Sequence, residues 1–273
     1  MGQAGTIPRY GVKEASQPQN DIAALAEEVR LVGFAVLDSG LSPAEACELA
    51  DRIEPVIRRQ EQEAGGAAAL ERIGDGNTGR ALLAYDEAFL RLAANPRLLA
   101  LATLLLGEYF VLSQQNSIVL RPGETHGQAR YHRDLPYQHF VSSRPLALNA
   151  LFCADPFTIE NGATLVIPAS HKHEPFPADT AVRRLEQAVL APAGSFIVLD
   201  AMTFHRSGLN RSDRVRRGVN HVFVLPFLRQ QVDLPAMLGG RYAEDPTLRR
   251  LLGYDAQTPK SVLEWRRGRL GQV

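Results

Sequence analysis

Apolar positions in the first hundred or so residues recur every three or four places, whereas beyond Tyr109 they gather into short runs. Ile22, Leu25, Ala26, Val29 and Val32 form one such stripe, opened by Asn20 and Asp21, and predict a helix over residues 21–32. Phe34-Ala35-Val36-Leu37 reads as a short strand. Ser42-Pro43-Ala44-Glu45 then supplies a cap, a proline at the first helical position and an early acid, starting a helix that runs to about Gln62. Residues 65–79, rich in Gly and Ala and ending in Asp75-Gly76-Asn77-Thr78-Gly79, read as a mobile loop. Helical spacing resumes over residues 86–94 and 96–106, where Gly107 stops it.

Strand-like runs follow over residues 110–120, 146–153, 163–167, 195–199 and 218–227. Arg121-Pro122-Gly123, Glu160-Asn161-Gly162 and Pro192-Ala193-Gly194 punctuate them, a spacing typical of a sandwich or barrel. Residues 235–270 return to short helical pieces. The expected fold is therefore mainly β with flanking helices, in a single domain over residues 1–273. Within it we expect a flexible start (1–20), a mostly helical layer (21–107), an antiparallel barrel core (108–227) and a helical tail (228–273).

Charge and composition narrow the function classes. Thirty basic residues balance thirty acidic ones, which argues against a nucleic-acid partner, since that needs a surplus of Lys and Arg to displace counterions. The absence of a long apolar run argues against a membrane span. Cys47 and Cys153 stand far apart without a CxxC, so neither a disulfide framework nor a thiolate metal site is expected, and a cytoplasmic setting is natural.

Metal chemistry is the more informative signal. In His132-Arg133-Asp134 the first and third side chains share one face of an extended segment, so both can reach one ion. A second histidine from a distant strand would complete a two-histidine, one-carboxylate face, leaving positions on Fe(II) for a bidentate cosubstrate and dioxygen. A His-x-Asp tripeptide alone arises by chance in roughly one in three sequences of this composition. His205, at the end of the apolar run Phe196-Ile197-Val198-Leu199, is the candidate third ligand. Downstream, Arg216 could pair a distant carboxylate in a bidentate fashion, although the stretch holds other arginines that solvent would suit equally.

Three pieces taken together resemble the phytanoyl-CoA dioxygenase family of Fe(II)/2-oxoglutarate oxygenases. They are Tyr131-His132-Arg133-Asp134, the run from Glu160-Asn161-Gly162 to Pro168-Ala169-Ser170-His171, and His205-x-Ser207-Gly208-x-Asn210-x-Ser212 with Arg216 beyond it. The resemblance implies a double-stranded β-helix, a jelly-roll barrel of the cupin type, with iron in its mouth. It places His132, Asp134 and His205 on the iron ligands and Arg216 on the arginine that holds the far carboxylate of 2-oxoglutarate. Ser207 falls beside that carboxylate, and Gln115 on a contact to the cosubstrate's other end. A carboxylate at position 134 implies hydroxylation, because halogenating relatives carry a small residue there. Desaturation, ring closure and epimerisation remain open at this point. Tyr131 stands where many members have Trp, and Ala169 where Gly is usual.

The expected activity is oxidation of an unactivated C–H bond of a small molecule, consuming O2 and 2-oxoglutarate and releasing succinate and CO2. Tyr131, Tyr137, Gln138, His139, Phe140 and Asn149 are candidate substrate walls, and residues 65–79 a candidate lid. His126, His171, His173 and His221 are expected outside the metal shell, His221 as a hydrogen-bonded core residue. Two rival readings share the barrel: a cupin-like metal enzyme that does not use 2-oxoglutarate, and a non-catalytic binding module.

Overall fold

The strands pair as two antiparallel sheets in a computed structural model that describes residues 18–124, 129–135 and 139–270. The strands are β1 (Phe34–Asp38), β2 (Val111–Leu120), β3 (Ala147–Cys153), β4 (Thr164–Val166), β5 (Gln187–Val189), β6 (Ser195–Asp200), β7 (His205–Arg206) and β8 (Arg216–Val224). One sheet runs β1-β6-β3-β8-β2 and the other β5-β4-β7. The longer strands lie within a residue or two of the expected runs, except that β8 ends three residues before the expected Phe227. The short β5 and β7 were not expected, because strands of three and two residues are too short to show an alternation.

Every residue of β3 and β6 is buried, so these central strands are covered on both faces and read as continuous apolar runs. Ile118, Leu151, Cys153, Ile197 and Leu199 meet Val166 and Val189 of the smaller sheet. Residues of opposite parity, such as Val119, Ala150, Phe152, Val198 and Val219, pack instead against the helices.

The helical layer follows the predicted caps. In α1 (Asp21–Val32) the Asn20 side chain accepts a hydrogen bond from the Ala23 amide, and Gly33 ends the helix at φ +91°. Ser42 and Glu45 form a capping box at the start of α2 (Pro43–Asp51). The single helix expected to reach Gln62 instead breaks at Arg52, giving α3 (Ile53–Glu63) its own start. Pro55 explains the break: in an uninterrupted helix its ring would press on the Asp51 carbonyl, whereas in the first turn of α3 it does neither harm nor loses a bond.

Residues 65–79 are not the irregular loop expected throughout. The Ala-rich part folds as α4 (Ala67–Arg72), in keeping with its helix propensity. The end is docked along β2: Val119 N donates to Asn77 O at 3.2 Å and Ser117 N to Gly79 O at 2.8 Å. Beyond it come α5 (Leu82–Tyr85), α6 (Leu90–Ala93) and α7 (Pro96–Leu106). Among the described residues no single helix is long and apolar enough to cross a membrane. The apolar face of α7, including Leu98, Leu101 and Leu105, is spent on the core. After α8 (Asp179–Leu185), the tail forms α9 (Leu234–Leu238), α10 (Pro246–Leu251) and α11 (Val262–Leu270). Residues 1–17, within the expected flexible start, lie outside the described residues.

A polar link locks helices to sheet. Gln115 is fully buried on the helix-facing side of β2, opposite His221 of β8. Its amide oxygen accepts from Leu83 N at 2.8 Å, and its amide nitrogen donates to Phe89 O at 2.8 Å and lies 2.9 Å from His221 Nε2. Burial pushes the His221 pKa down to about 4, so the ring is neutral, accepting at Nε2 and donating from Nδ1 to Ala150 O at 3.0 Å. The expectation of a cosubstrate contact at Gln115 is corrected here, since strand parity turns it away from the cavity side that Ile118 occupies. Gln115→Ala, which strands three buried polar groups, is expected to lower unfolding free energy by about 2–4 kcal/mol in urea denaturation.

Candidate metal centre

His132, Asp134 and His205 come together as the sequence spacing anticipates. One ligand atom from each lies within 4.8 Å of the others. The main chains of His132 and His205 exchange both hydrogen bonds, at 3.0 and 3.1 Å, and Asp134 N donates to Ala201 O at 2.9 Å. The turn between β6 and β7 that aims His205 is itself held: Thr203 Oγ1 donates to Gly33 O at 2.9 Å and Phe204 N to Ser170 Oγ at 2.8 Å.

Both imidazoles are oriented by the same device. His132 Nδ1 lies 2.9 Å from Arg130 O, and His205 Nδ1 lies 3.0 Å from Thr203 O. A carbonyl can only accept, so each Nδ1 carries the proton and each Nε2 offers a lone pair. Those Nε2 atoms stand 3.9 and 3.6 Å from Asp134 Oδ1, too far for hydrogen bonds but right for three donors around one point. His132 Nε2 is buried and has no hydrogen-bond partner. Burial, and then the neighbouring His205, lower the His132 pKa, which keeps the lone pair available at neutral pH. Two imidazoles and one carboxylate are a donor set suited to a divalent transition metal, so the residues present fit such an ion.

Next to this cluster lies a narrow cavity between the two sheets, lined by His132, His205, Asn149, Ser207, Asn220 and Arg216 among others. Arg216 is 2% exposed, yet no carboxylate pairs with it among the described residues. It donates to Gly162 O at 2.8 Å, its Cζ lies 4.2 Å from the Phe157 ring centroid, and its Nε has no partner. Burial pushes its pKa down to about 10, still well above neutrality, so the group is a buried cation on which Asp155 acts only from a distance, with no carboxylate in contact among the described residues. The segments leading into β4 and out of β7 close tightly on each other here: a Cβ on Gly162 would lie 2.9 Å from Gly208 O, and one on Gly208 would lie 2.9 Å from Ala163 O. Both glycines of the Glu160-Asn161-Gly162 and Ser207-Gly208 pieces are thus steric requirements.

The phytanoyl-CoA dioxygenase (PhyH) family model matches residues 29–218. The chain belongs to this family. It is 31% identical over 246 residues to the uncharacterized protein Rv1501 of Mycobacterium tuberculosis, covering 88% of this chain and 89% of that one. It is 30% identical over 234 residues to dioxygenase af480 of Aspergillus fumigatus, covering 81% of this chain and 73% of the relative. Among solved structures, EctD from S. alaskensis, determined with 2-oxoglutarate and 5-hydroxyectoine, is similar with a TM-score of 0.61 at 22% identity, over 77% of this chain and 78% of that one. Membership places the chain among iron- and 2-oxoglutarate-dependent oxygenases.

Within that family setting, the other anticipated site residues divide. Ser207 lines the cavity beside Arg216, its hydroxyl donating to Gly208 O at 3.1 Å. Asn149 also lines it, but its amide nitrogen donates to Asp134 Oδ2 at 2.6 Å. Tyr131 is not among the cavity's lining residues; its hydroxyl is bonded to Glu186, with Arg206 Cζ 5.2 Å above its ring and Phe176 5.3 Å away. His139 is exposed and Phe140 packs beside Val111 and Leu135, neither of them among the cavity's lining. Tyr137, Gln138 and His126 lie outside the described residues. His171 stands apart from the cluster, its Nε2 3.1 Å from Arg30 O.

Two contributors escaped the sequence reading. Arg133, between the two candidate ligands, is 2% exposed and donates to Met202 O at 2.7 Å and Ser170 O at 3.0 Å, tying the cluster to neighbouring turns. Nothing local marks an arginine as a carbonyl clamp. Asn220 lines the cavity with a buried amide oxygen that has no partner. Asn210, already part of the recognised motif, donates to Leu120 O at 3.0 Å and Arg214 O at 2.7 Å, shaping the loop that leads to Arg216.

Proposed function

We propose that this protein hydroxylates an unactivated C–H bond of a small molecule, using Fe(II), 2-oxoglutarate and O2, on a double-stranded β-helix within one domain. In this reading His132 Nε2, Asp134 Oδ1 and His205 Nε2 hold the iron. Arg216 anchors the far carboxylate of 2-oxoglutarate, with Ser207 beside it. When bound, iron and 2-oxoglutarate supply the oxidising chemistry, the cosubstrate leaving as succinate and CO2.

The observation that carries the reading is Arg216: a buried guanidinium without a carboxylate partner among the described residues, lining the same cavity as His132 and His205 of the candidate metal cluster. Burying such a cation is costly unless an anion joins it, and a dicarboxylate reaching from the metal cluster supplies one. A cupin-like enzyme with no use for 2-oxoglutarate would have no call for that cation. The protein's own part is orientation: the carbonyls of Arg130 and Thr203 set the imidazoles, and the packed sheet faces exclude water from the far end of the cavity. Asp134 fills the place a halide would need, which supports hydroxylation over halogenation.

Iron-loaded protein incubated with 2-oxoglutarate in air, alone and with a panel of small metabolites, tests the reading. Succinate is expected to accumulate with matching loss of 2-oxoglutarate, faster when a substrate is present. Stoichiometric iron uptake with no consumption of 2-oxoglutarate under any condition sinks it.

A further inference from the structure

Asp134 is placed on a connecting segment, whereas Asn149 lies on β3, held between β6 and β8 in the middle of the larger sheet. A carboxylate can only accept hydrogen bonds, so the Asn149 NH2 group must face it, at 2.6 Å from Oδ2. This contact engages one carboxylate oxygen and leaves the other, Oδ1, nearest the two imidazole Nε2 atoms at 3.6 and 3.9 Å. Asn149 is 4% exposed, and its own Oδ1 has no partner among the described residues, where the bond to Asp134 anchors the side chain.

We propose that Asn149 is a positioning residue that restricts Asp134 to ligating metal through one oxygen. The inference rests on the metal-centre reading above. A carboxylate free to rotate can chelate an ion through both oxygens, and the second would take a position that a bidentate cosubstrate or O2 requires. The charge-assisted bond to Oδ2 removes that option, because Oδ2 cannot turn to the ion without abandoning its donor. The rigidity comes from β3, whose neighbours on both sides leave little freedom to the backbone. Asn149 thus acts through Asp134 and not on substrate, in place of the substrate wall that its position in the sequence implied.

The test is titration of the purified full-length protein with Co(II) alone, followed by calorimetry and by the visible absorption of the bound ion, with wild type beside Asn149→Leu and Asn149→Ser. Wild type is expected to bind one Co(II). Both variants should bind it about 10–100-fold more weakly and show altered visible bands, since band intensity reports coordination number and symmetry. Co(II)-loaded variants should also bind 2-oxoglutarate less tightly. Asn149→Ser keeps a small polar group but does not reach Asp134, and it stands in should the leucine variant fail to fold. A folded variant with the wild-type Co(II) affinity and spectrum overturns the proposal, even if its melting temperature falls. If wild type binds Co(II) and 2-oxoglutarate normally, that result removes only the role of Asn149. If wild type takes up no Co(II), the metal-centre reading fails and the proposal falls with it.

Discussion

His205→Ala is expected to reduce 2-oxoglutarate turnover to background and to weaken Fe(II) binding by more than about 100-fold, since loss even of a residue behind a ligand typically costs 10–100-fold. The fold should survive. Pairing between residues 132 and 205 runs through the main chain, at 3.0 and 3.1 Å, and alanine keeps both bonds. His205 Nε2 stands 3.6 Å from Asp134 Oδ1, beyond hydrogen-bond reach, so removing the imidazole breaks no hydrogen bond between them. Only the bond from Nδ1 to Thr203 O is lost, about 1 kcal/mol, or roughly 2–4 °C in melting temperature for a chain of this size. Anaerobic Fe(II) titration beside a thermal melt checks both halves. Retained wild-type iron affinity in the variant would place the metal elsewhere.

Arg216→Met should raise the KM for 2-oxoglutarate by about 10²–10³, while leaving Fe(II) affinity unchanged. Truncating one partner of a buried charge pair costs roughly 2–5 kcal/mol, and each 1.4 kcal/mol is about tenfold in affinity. The same substitution should leave the protein without cosubstrate as stable as wild type or more so. Methionine fills similar space against Phe157 and removes a desolvated cation whose only described hydrogen bond is to Gly162 O. Opposite signs for stability and cosubstrate binding distinguish a charge kept for a ligand from one that supports the fold. Unchanged affinity for 2-oxoglutarate, measured by equilibrium binding to the iron-loaded variant without O2, would remove the anchor role.

Much of the secondary structure could be read locally because the signals are local. Asn20 caps α1 and Ser42 with Glu45 boxes α2, each through neighbours three residues away. The proline that divides α2 from α3 is an equally local signal, but the apolar stripe continues past it and masks the break. Residues 65–79 looked loose because glycine is common there. Their order comes from pairing with β2, forty residues downstream, which no local pattern reveals.

The site was legible in kind and only partly in direction. Gln114, Gln115, Asn116 and Ser117 follow one another in β2, so polarity does not alternate and cannot tell which face meets the cavity. A register shift between Leu112 and Gln114 further uncouples parity from the strand's start. Pairing with β8 decides it, matching Gln115 to His221 on the helix side. Asn149 shows the same limit: an amide beside the motif could line a wall or brace a ligand, and only the 2.6 Å contact with Asp134 separates the two.

By itself, then, the sequence determined the donor chemistry: a His-x-Asp pair, a distant histidine and an arginine beyond it. Those depend on residue identity and short spacing, which the chain carries wherever it goes. Tertiary structure alone decided which polar groups face the cavity, which brace it and which lock helices to the sheet. A side chain's direction is set by strand parity and register with partners far along the chain, and its charge state by what burial leaves beside it.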